Sequence, residues 1–480
     1  MNQRTDDQLE VRAVTDADEV AARIAPRLSQ DGSLVAQSAR VLPAGASRTT
    51  FLVGLSGGST DAIENVIVRA VPSARTGDGG LGIEAAVLGA AHAAGVPVPR
   101  VLDSGLGAGE SVLGYPYFVM NFVVGESIPR RILRDDEYAT ARAGFVGQAG
   151  EILARIHRMD RSGLGVLPSM PDPLAALAGL FPREWDEMPA GLVLAAGWLD
   201  RNRPEPSPEV TVVHGDFRLG NLMIDSEGIA AVLDWELAHV GDPVEDLGWL
   251  CAKAWRFSAP QPVAGMGLRA ELLDAYEAEA GWRPTDAALR WWELFATVRW
   301  GLICAVQANR HLDGTERSVE LAAIGRRSAE QEFDALLDLG IVEPERVADP
   351  LDAAAADPEH PFGEDLFGPP VAPELLESVA DFLRSAPVTE NMAPHIRFHT
   401  RVAANVLDVV RRQLLTAPES VPASAARLRD LGVANQRDLV AKLRDGTLDG
   451  DNPDVRAAIA ADVRARLMVS NPKYFAVPHP

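Results

Sequence analysis

The sequence predicts an α+β chain: a small β-rich lobe, a larger α-rich lobe and a C-terminal all-α domain. Three observations carry this reading. Residues 36–72 hold strand-like runs (VAQSARVLPAGASRTTFLVGLSGG, then ENVIVRAV) broken by Gly and Ser at turn positions. After Gly125 the apolar residues recur at helical spacing. Around 341–370 a stretch dense in Pro, Ala, Asp and Glu loses all periodicity, and amphipathic helices follow it.

The elements follow in order. Residues 1–30 are polar, then helical (DADEVAARIAPRLSQ). Residues 31–123 form the small lobe: the strands above, a helix over 81–94 (LGIEAAVLGAAHAA), a short strand in GVPVPRVLDSG and a buried strand in YPYFVMNFVVG. Residues 124–340 form the larger lobe. There FVGQAGEILARIHRMD places Phe145, Ile152 and Ile156 on one helix face, and ALRWWELFATVRWGLICAVQANRHL is a long helix. Residues 341–370 read as a linker and 371–480 as a separate helical domain built from ELLESVADFLRSAP, HIRFHTRVAANVLDVVRRQLL, RDLVAKLRDG and DVRAAIAADVRARLMVSNP.

Composition narrows the function. The chain has 480 residues, 47% hydrophobic and 24% charged, as in ordinary globular proteins. A net charge of −23 argues against sequence-independent nucleic-acid binding, which needs a basic face. It leaves room for a local basic pocket or a cationic partner. Cys251 and Cys304, the only cysteines, lie in apolar helical segments and read as small buried hydrophobes. With no disulfide framework or zinc pattern available, a reducing cytoplasm is expected; no apolar signal core or membrane span is visible, and no membrane partner is expected. A homo-oligomer is left open.

One stretch concentrates chemistry: VVHGDFRLGNLMIDSEGIAAVLDWE, residues 212–236. Thr211-Val212-Val213 reads as a short strand, and His214-Gly215-Asp216 leaves it on a loop. Residues 222–224 and 229–233 form a hairpin through DSEG. A hairpin of this size returns Asp234 to the side of Asn221. An amide oxygen and a carboxylate converging there suit Mg²⁺, a hard cation that prefers oxygen ligands. Asp216 is then free to accept a proton from an attacking hydroxyl, which is the layout of phosphoryl transfer.

HGDFRLGNLMID with LDWE resembles the catalytic and metal-binding loops of the aminoglycoside phosphotransferase and choline kinase superfamily, which shares the protein-kinase fold. The resemblance implies a two-lobed kinase-like fold, ATP and Mg²⁺ as cofactors, Asp216 as catalytic base, and Asn221 and Asp234 as metal ligands. His214 then supports the loop. Glu236 stands at metal or at substrate, and both remain open. The turn Gly45-Ala46-Ser47-Arg48-Thr49-Thr50 matches the family's phosphate-covering loop, which makes Gly45, Ser47, Arg48 and Thr49 nucleotide-binding candidates. VIVRAV matches the strand that carries a phosphate-holding Lys. Here the residue is Arg69, a planar fork able to bind phosphate bidentately. Glu84 is its expected ion-pair partner. YPYFVMNFVVGESI resembles the hinge between lobes, with adenine on the backbone of Met120, Asn121, Phe122 and Val123.

Further likeness narrows the branch. GVPVPRVLDSG, LDWELAHVGDPVEDLGW and WELFATVRWGLICAVQ resemble the kinase modules fused to acyl-CoA dehydrogenases, which implies a hydroxyl acceptor on a hydroxyacyl-CoA such as a 4-hydroxyacyl-CoA. The tail resembles a small helical partner domain of unknown function. Arg397, His399 and Arg401 in that tail read either as a phosphate or CoA site or as surface residues around a buried His. The alternatives are an antibiotic kinase of the aminoglycoside type and a catalytically inactive kinase fold acting as a binding module.

Overall fold

The computed structural model describes residues 16–29, 32–42, 48–57, 65–72, 80–107, 109–165, 167–352, 371–390 and 392–476. The remainder of the expected linker, 353–370, lies outside them, as do the first fifteen residues. The fold is α+β and protein-kinase-like, with one five-stranded antiparallel sheet and a mainly helical remainder. The described residues form two compact units that do not follow chain order. One comprises Met1–Met170, Pro206–Leu250 and Met266–Pro284; the other comprises Pro171–Glu205, Cys251–Gly265 and Thr285–Pro480. Among the described residues no helix is long and apolar enough to cross a membrane.

In the first unit, β1 (Val35–Leu42), β2 (Thr49–Ser56), β3 (Asn65–Ala70), β4 (Val101–Gly105) and β5 (Tyr117–Asn121) order as β1-β2-β3-β5-β4. Successive side chains in a strand point to opposite faces. Val66, Val68 and Ala70 of β3 join Phe51 and Val53 of β2 in a core that also takes Val20, Ala21 and Ile24. Those last three come from the helix Ala17–Ile24, whose N-terminus Asp16 caps by accepting from the Asp18 and Glu19 N–H groups. The same alternation sends Ile67 and Arg69 to the opposite face, which lines a cavity.

Four short strands lie beyond this sheet. β6 (Thr211–Val213) pairs with β9 (His239–Gly241), and β7 (Leu222–Ile224) pairs with β8 (Ile229–Val232). The β7–β8 turn is closed by Asp225 Oδ1, which accepts from Glu227 N at 2.8 Å and Gly228 N at 2.9 Å. The loop leaving β6 is anchored from below. Asp246, fully buried on the helix Val244–Cys251, accepts from the backbone N–H of His214 (2.8 Å) and Gly215 (2.9 Å). His157 Nε2 lies 3.2 Å from the same carboxylate, and its Nδ1 lies 3.0 Å from the Tyr276 hydroxyl. Burial works to raise the Asp246 carboxyl, but His157 and these N–H groups outweigh it and hold it below the usual range.

The second unit has its own core. Ala190, Leu194, Ala329, Phe333 and Leu336 pack with Leu428, Leu439, Val455, Ile459, Leu467 and Phe475. From Leu428 onward the C-terminal segments bury apolar residues in a core shared with the helices Ala190–Arg201 and Ser328–Asp338, whereas Leu375, Val379, Phe382, Ile396 and Phe398 stay exposed. Inside it lies an ion pair, Lys253 Nζ to Asp334 Oδ1 at 2.9 Å, with both side chains almost fully buried. Tyr474 donates its hydroxyl to Asp334 Oδ2 at 2.6 Å, and its ring sits 4.5 Å from Lys253 Nζ.

Two expectations differ from the outcome here. The helix read as HIRFHTRVAANVLDVVRRQLL runs further, over Pro394–Asp430, through Pro418 and Pro422. Proline removes a backbone donor and crowds the preceding turn. Here both prolines are exposed, and ion pairs from Arg412 to Asp349 and Arg427 to Asp462 tie down the turns on either side. His399 is not buried: its side chain is half exposed, with Nε2 3.5 Å from Glu320. Cys251 and Cys304 are both buried.

Two outcomes follow from the buried charges. Asp334→Ala leaves the Lys253 ammonium buried without its counter-ion and should lower unfolding free energy by about 3–5 kcal/mol, read by urea titration. Asp246 is held below its ordinary value of 3.8, so its stabilisation is fully present above that pH and is lost as pH falls through the depressed value. The stability gap between wild type and Asp246→Asn should therefore be widest at neutral pH and narrow below pH 3.8.

Candidate active site

The site begins where β6 ends. Gly215 has φ +80, and a Cβ there would stand 2.6 Å from the Leu237 carbonyl oxygen, so only glycine fits. His214 is buried and bonded at both ring nitrogens. The Asp216 N–H donates to Nδ1 at 3.1 Å, so Nδ1 is the acceptor and Nε2–H donates to the Leu233 carbonyl at 3.0 Å. Burial lowers the imidazole's affinity for a second proton. A neutral His214 thus ties the loop carrying Asp216 to the segment that leads into Asp234.

Asp216 is held from both sides. Its Oδ1 accepts from Arg218 Nε (2.9 Å) and Trp249 Nε1 (2.8 Å); its Oδ2 accepts from Asn221 Nδ2 (2.6 Å). Asn221 Nδ2 also donates to the Asp216 carbonyl at 3.0 Å. Both partners are acceptors, so the amide nitrogen faces them and the amide oxygen faces away. Leu233 N donates to the Asn221 carbonyl at 2.8 Å, so the β7–β8 hairpin does bring the end of β8 back to Asn221. Asp234 follows in the left-handed region, φ 65, a conformation Asp tolerates better than most residues.

A cavity of about 530 Å³ opens beside these residues, and Asn221, Asp234 and Glu236 line it. So do Arg48, Thr50, Arg69, Glu84, Met120, Asn121, Phe122 and Val123. Glu84, on the helix Leu81–Ala93, is 2% exposed and pairs with two guanidiniums. Arg69 Nη1 lies 2.7 Å from its Oε1, and Arg48 bonds its Oε2. Arg69 also reaches Asp234 at 3.6 Å, and Arg48 reaches Glu236 at 3.7 Å. Burial raises the Glu84 carboxyl, against the pull of Arg69 and Arg48. Burial likewise pushes up the Glu236 carboxyl, and the negative Asp234 beside it adds to the effect.

At the end of β5, Asn121 Oδ1 accepts from Arg100 N at 2.6 Å, and Asn121 N donates to the Arg100 carbonyl at 3.1 Å. This side chain locks the end of β5 to the preceding segment. Thr49 pairs across the sheet with Ala70, while its neighbour Thr50 lines the cavity. Gly45 and Ser47 lie outside the described residues.

The donor set suits a magnesium ion. Asn221, whose amide nitrogen is taken by Asp216, and Asp234 both line the cavity and offer hard oxygens. No cluster of three or more His, Cys, Asp or Glu able to hold a metal occurs among the described residues. Mg²⁺ is commonly held by one or two carboxylates together with water and substrate phosphates rather than by an all-protein cage. Sequence reasoning passed over Trp249, Asp246, His157 and Arg218. A signal existed for Asp246 and Trp249: three apart in DPVEDLGW, they share one helix face.

Comparison with known proteins places these features. Residues 38–291, just over half the chain, match the model of a phosphotransferase enzyme family, and residues 390–474 match a domain of unknown function. Acyl-CoA dehydrogenase family member 11 of Gallus gallus is 33% identical over 168 residues, which is 32% of this chain and 21% of that protein. The Rattus norvegicus protein of the same name is 29% identical over 254 residues, 47% of this chain and 31% of that protein. The chain thus spans between a fifth and a third of the length of these relatives. Among solved structures, macrolide 2'-phosphotransferase MphH from Brachybacterium faecium aligns over 68% of this chain and 99% of its own, at 19% identity and TM-score 0.42. The chain belongs to the phosphotransferase enzyme family.

Proposed function

We propose that this phosphotransferase is an ATP- and Mg²⁺-dependent kinase acting on a hydroxyl of a small molecule, a hydroxyacyl-CoA such as a 4-hydroxyacyl-CoA. The observation that carries the chemistry is the convergence of Asp216, Asn221 and Asp234, beside a cavity walled by the Arg69–Glu84 ion pair. The acyl-CoA acceptor is supported by the acyl-CoA dehydrogenase names of the relatives. The cytoplasm is the proposed compartment.

Asp216 takes the proton of the acceptor hydroxyl as its oxygen bonds to the γ-phosphorus of ATP. The bond from that phosphorus to the bridging oxygen breaks, and ADP leaves. Arg69 and Arg48 meet phosphate oxygens; a guanidinium offers a fork of N–H donors where an ammonium offers a point charge. Glu84 keeps Arg69 aimed into the cavity. Met120 to Val123 present backbone to the adenine. Asn221 Oδ1 and the Asp234 carboxylate would hold Mg²⁺, which would supply charge neutralisation at the phosphates. The fully formed set of Asp216, Asn221 and Asp234 favours an active enzyme over an inactive binding module.

Asp216→Asn should cut kcat by about 10²–10⁴-fold, the range for losing a general base, while nucleotide affinity by calorimetry stays at the wild-type value. Full turnover in this variant would refute the mechanism. For the acceptor, ADP release should be followed with hydroxyacyl-CoA thioesters, the free hydroxy acids and aminoglycosides. Turnover is expected with the thioesters. Turnover with an aminoglycoside and none with any thioester reverses the substrate reading.

A further inference from the structure

We infer that Trp249 is a positioning residue for phosphoryl transfer, and that with Arg218 it assigns proton acceptance to Oδ2 of Asp216; this rests on the reading of Asp216 as the base. A carboxylate has about four lone-pair directions, two on each oxygen. Trp249 Nε1–H at 2.8 Å and Arg218 Nε–H at 2.9 Å fill both on Oδ1. Asn221 Nδ2–H at 2.6 Å fills one on Oδ2. One direction remains, on Oδ2, and an acceptor hydroxyl takes it.

The three donors are not equivalent. Arg218 and Asn221 belong to the same loop as Asp216 and move with it. Trp249 belongs to the helix Val244–Cys251, three residues beyond Asp246 and on the same face. Asp246 grips the backbone N–H groups of His214 and Gly215, and Trp249 grips the side chain of the next residue. One buried helix therefore sets both the path of the loop and the rotation of the carboxylate. The indole suits this task. It is 2% exposed, it is rigid, it only donates, and it brings no charge to cancel the carboxylate.

The test removes the N–H and keeps the ring. Trp249→Phe does so simply; replacing Trp249 with 3-benzothienylalanine exchanges the N–H for sulfur at almost unchanged shape. With ATP, Mg²⁺ and 4-hydroxypentanoyl-CoA, kcat should fall about 10- to 100-fold, the worth of one hydrogen bond to a charged group. KM for ATP should stay at its wild-type value. A wild-type kcat in the benzothienyl protein overturns the inference. So does a rise in KM for ATP with kcat unchanged. A second reading needs no acceptor: in ¹⁵N-labelled protein, the indole N–H resonance missing from Trp249→Phe should move in Asp216→Asn. An unmoved resonance also overturns the inference. Asp216→Asn assayed in parallel separates the two claims. If it turns over fully, the base assignment fails and this inference with it. If it is inactive while the benzothienyl protein is at full rate, only the role of Trp249 fails.

Discussion

The buried carboxylate of Asp246 is the constraint on which the active loop depends. An anion taken out of water is costly unless donors surround it. Here those donors are two consecutive backbone N–H groups, at His214 and Gly215, and His157. Satisfying the charge and shaping the loop are the same event, because the loop cannot leave its path without abandoning the carboxylate. Gly215 must then pass beside the Leu237 carbonyl, which no larger residue allows. His214 carries the order onward to the residue before Asp234.

A second balance of charge organises residues that line the cavity. Strand alternation puts Arg69 on the cavity face of the sheet, while its neighbours Val68 and Ala70 enter the core. Glu84 meets Arg69 and Arg48 from the helix behind, and each arginine extends to a carboxylate beyond, Asp234 or Glu236. Both cations are thus held by anions that line the cavity. The second unit follows the same rule with a different outcome. There a buried Lys253–Asp334 pair, completed by Tyr474, is enclosed in a core shared by the C-terminal helices and two earlier ones. The segments from Leu428 to Phe475 place their apolar side chains there.

Much of the fold was legible because it is written locally. Strand-like runs punctuated by Gly and Ser marked the strands of the first unit's sheet, and helical spacing marked the long helices. The knot HGDFRLGN with the strand end at Asp234 gave the core of the candidate site, since a loop followed by a short hairpin admits few return paths. Less legible were features with no local pattern. β9 is three residues long and is held by pairing with β6 and, through Val240, with residues 168–170. The helix through Pro418 and Pro422 contradicts local propensity and is held by distant ion pairs. That Thr50 rather than Thr49 lines the cavity follows from the pairing register, which spacing alone leaves open by one residue.

The sequence by itself determined which chemical groups are present and close along the chain: a base candidate, an amide and a carboxylate within one loop and hairpin, and a cation on a strand. Those depend on backbone periodicity and turn chemistry, which act over a few residues. Only the tertiary structure decided how the groups are aimed. The indole that orients Asp216 lies 33 residues away, and His157 lies 89 residues from the Asp246 it supports. Such partners are chosen by burial, which makes each unpaired charge or N–H costly, and burial is a property of the packed chain rather than of any segment in it.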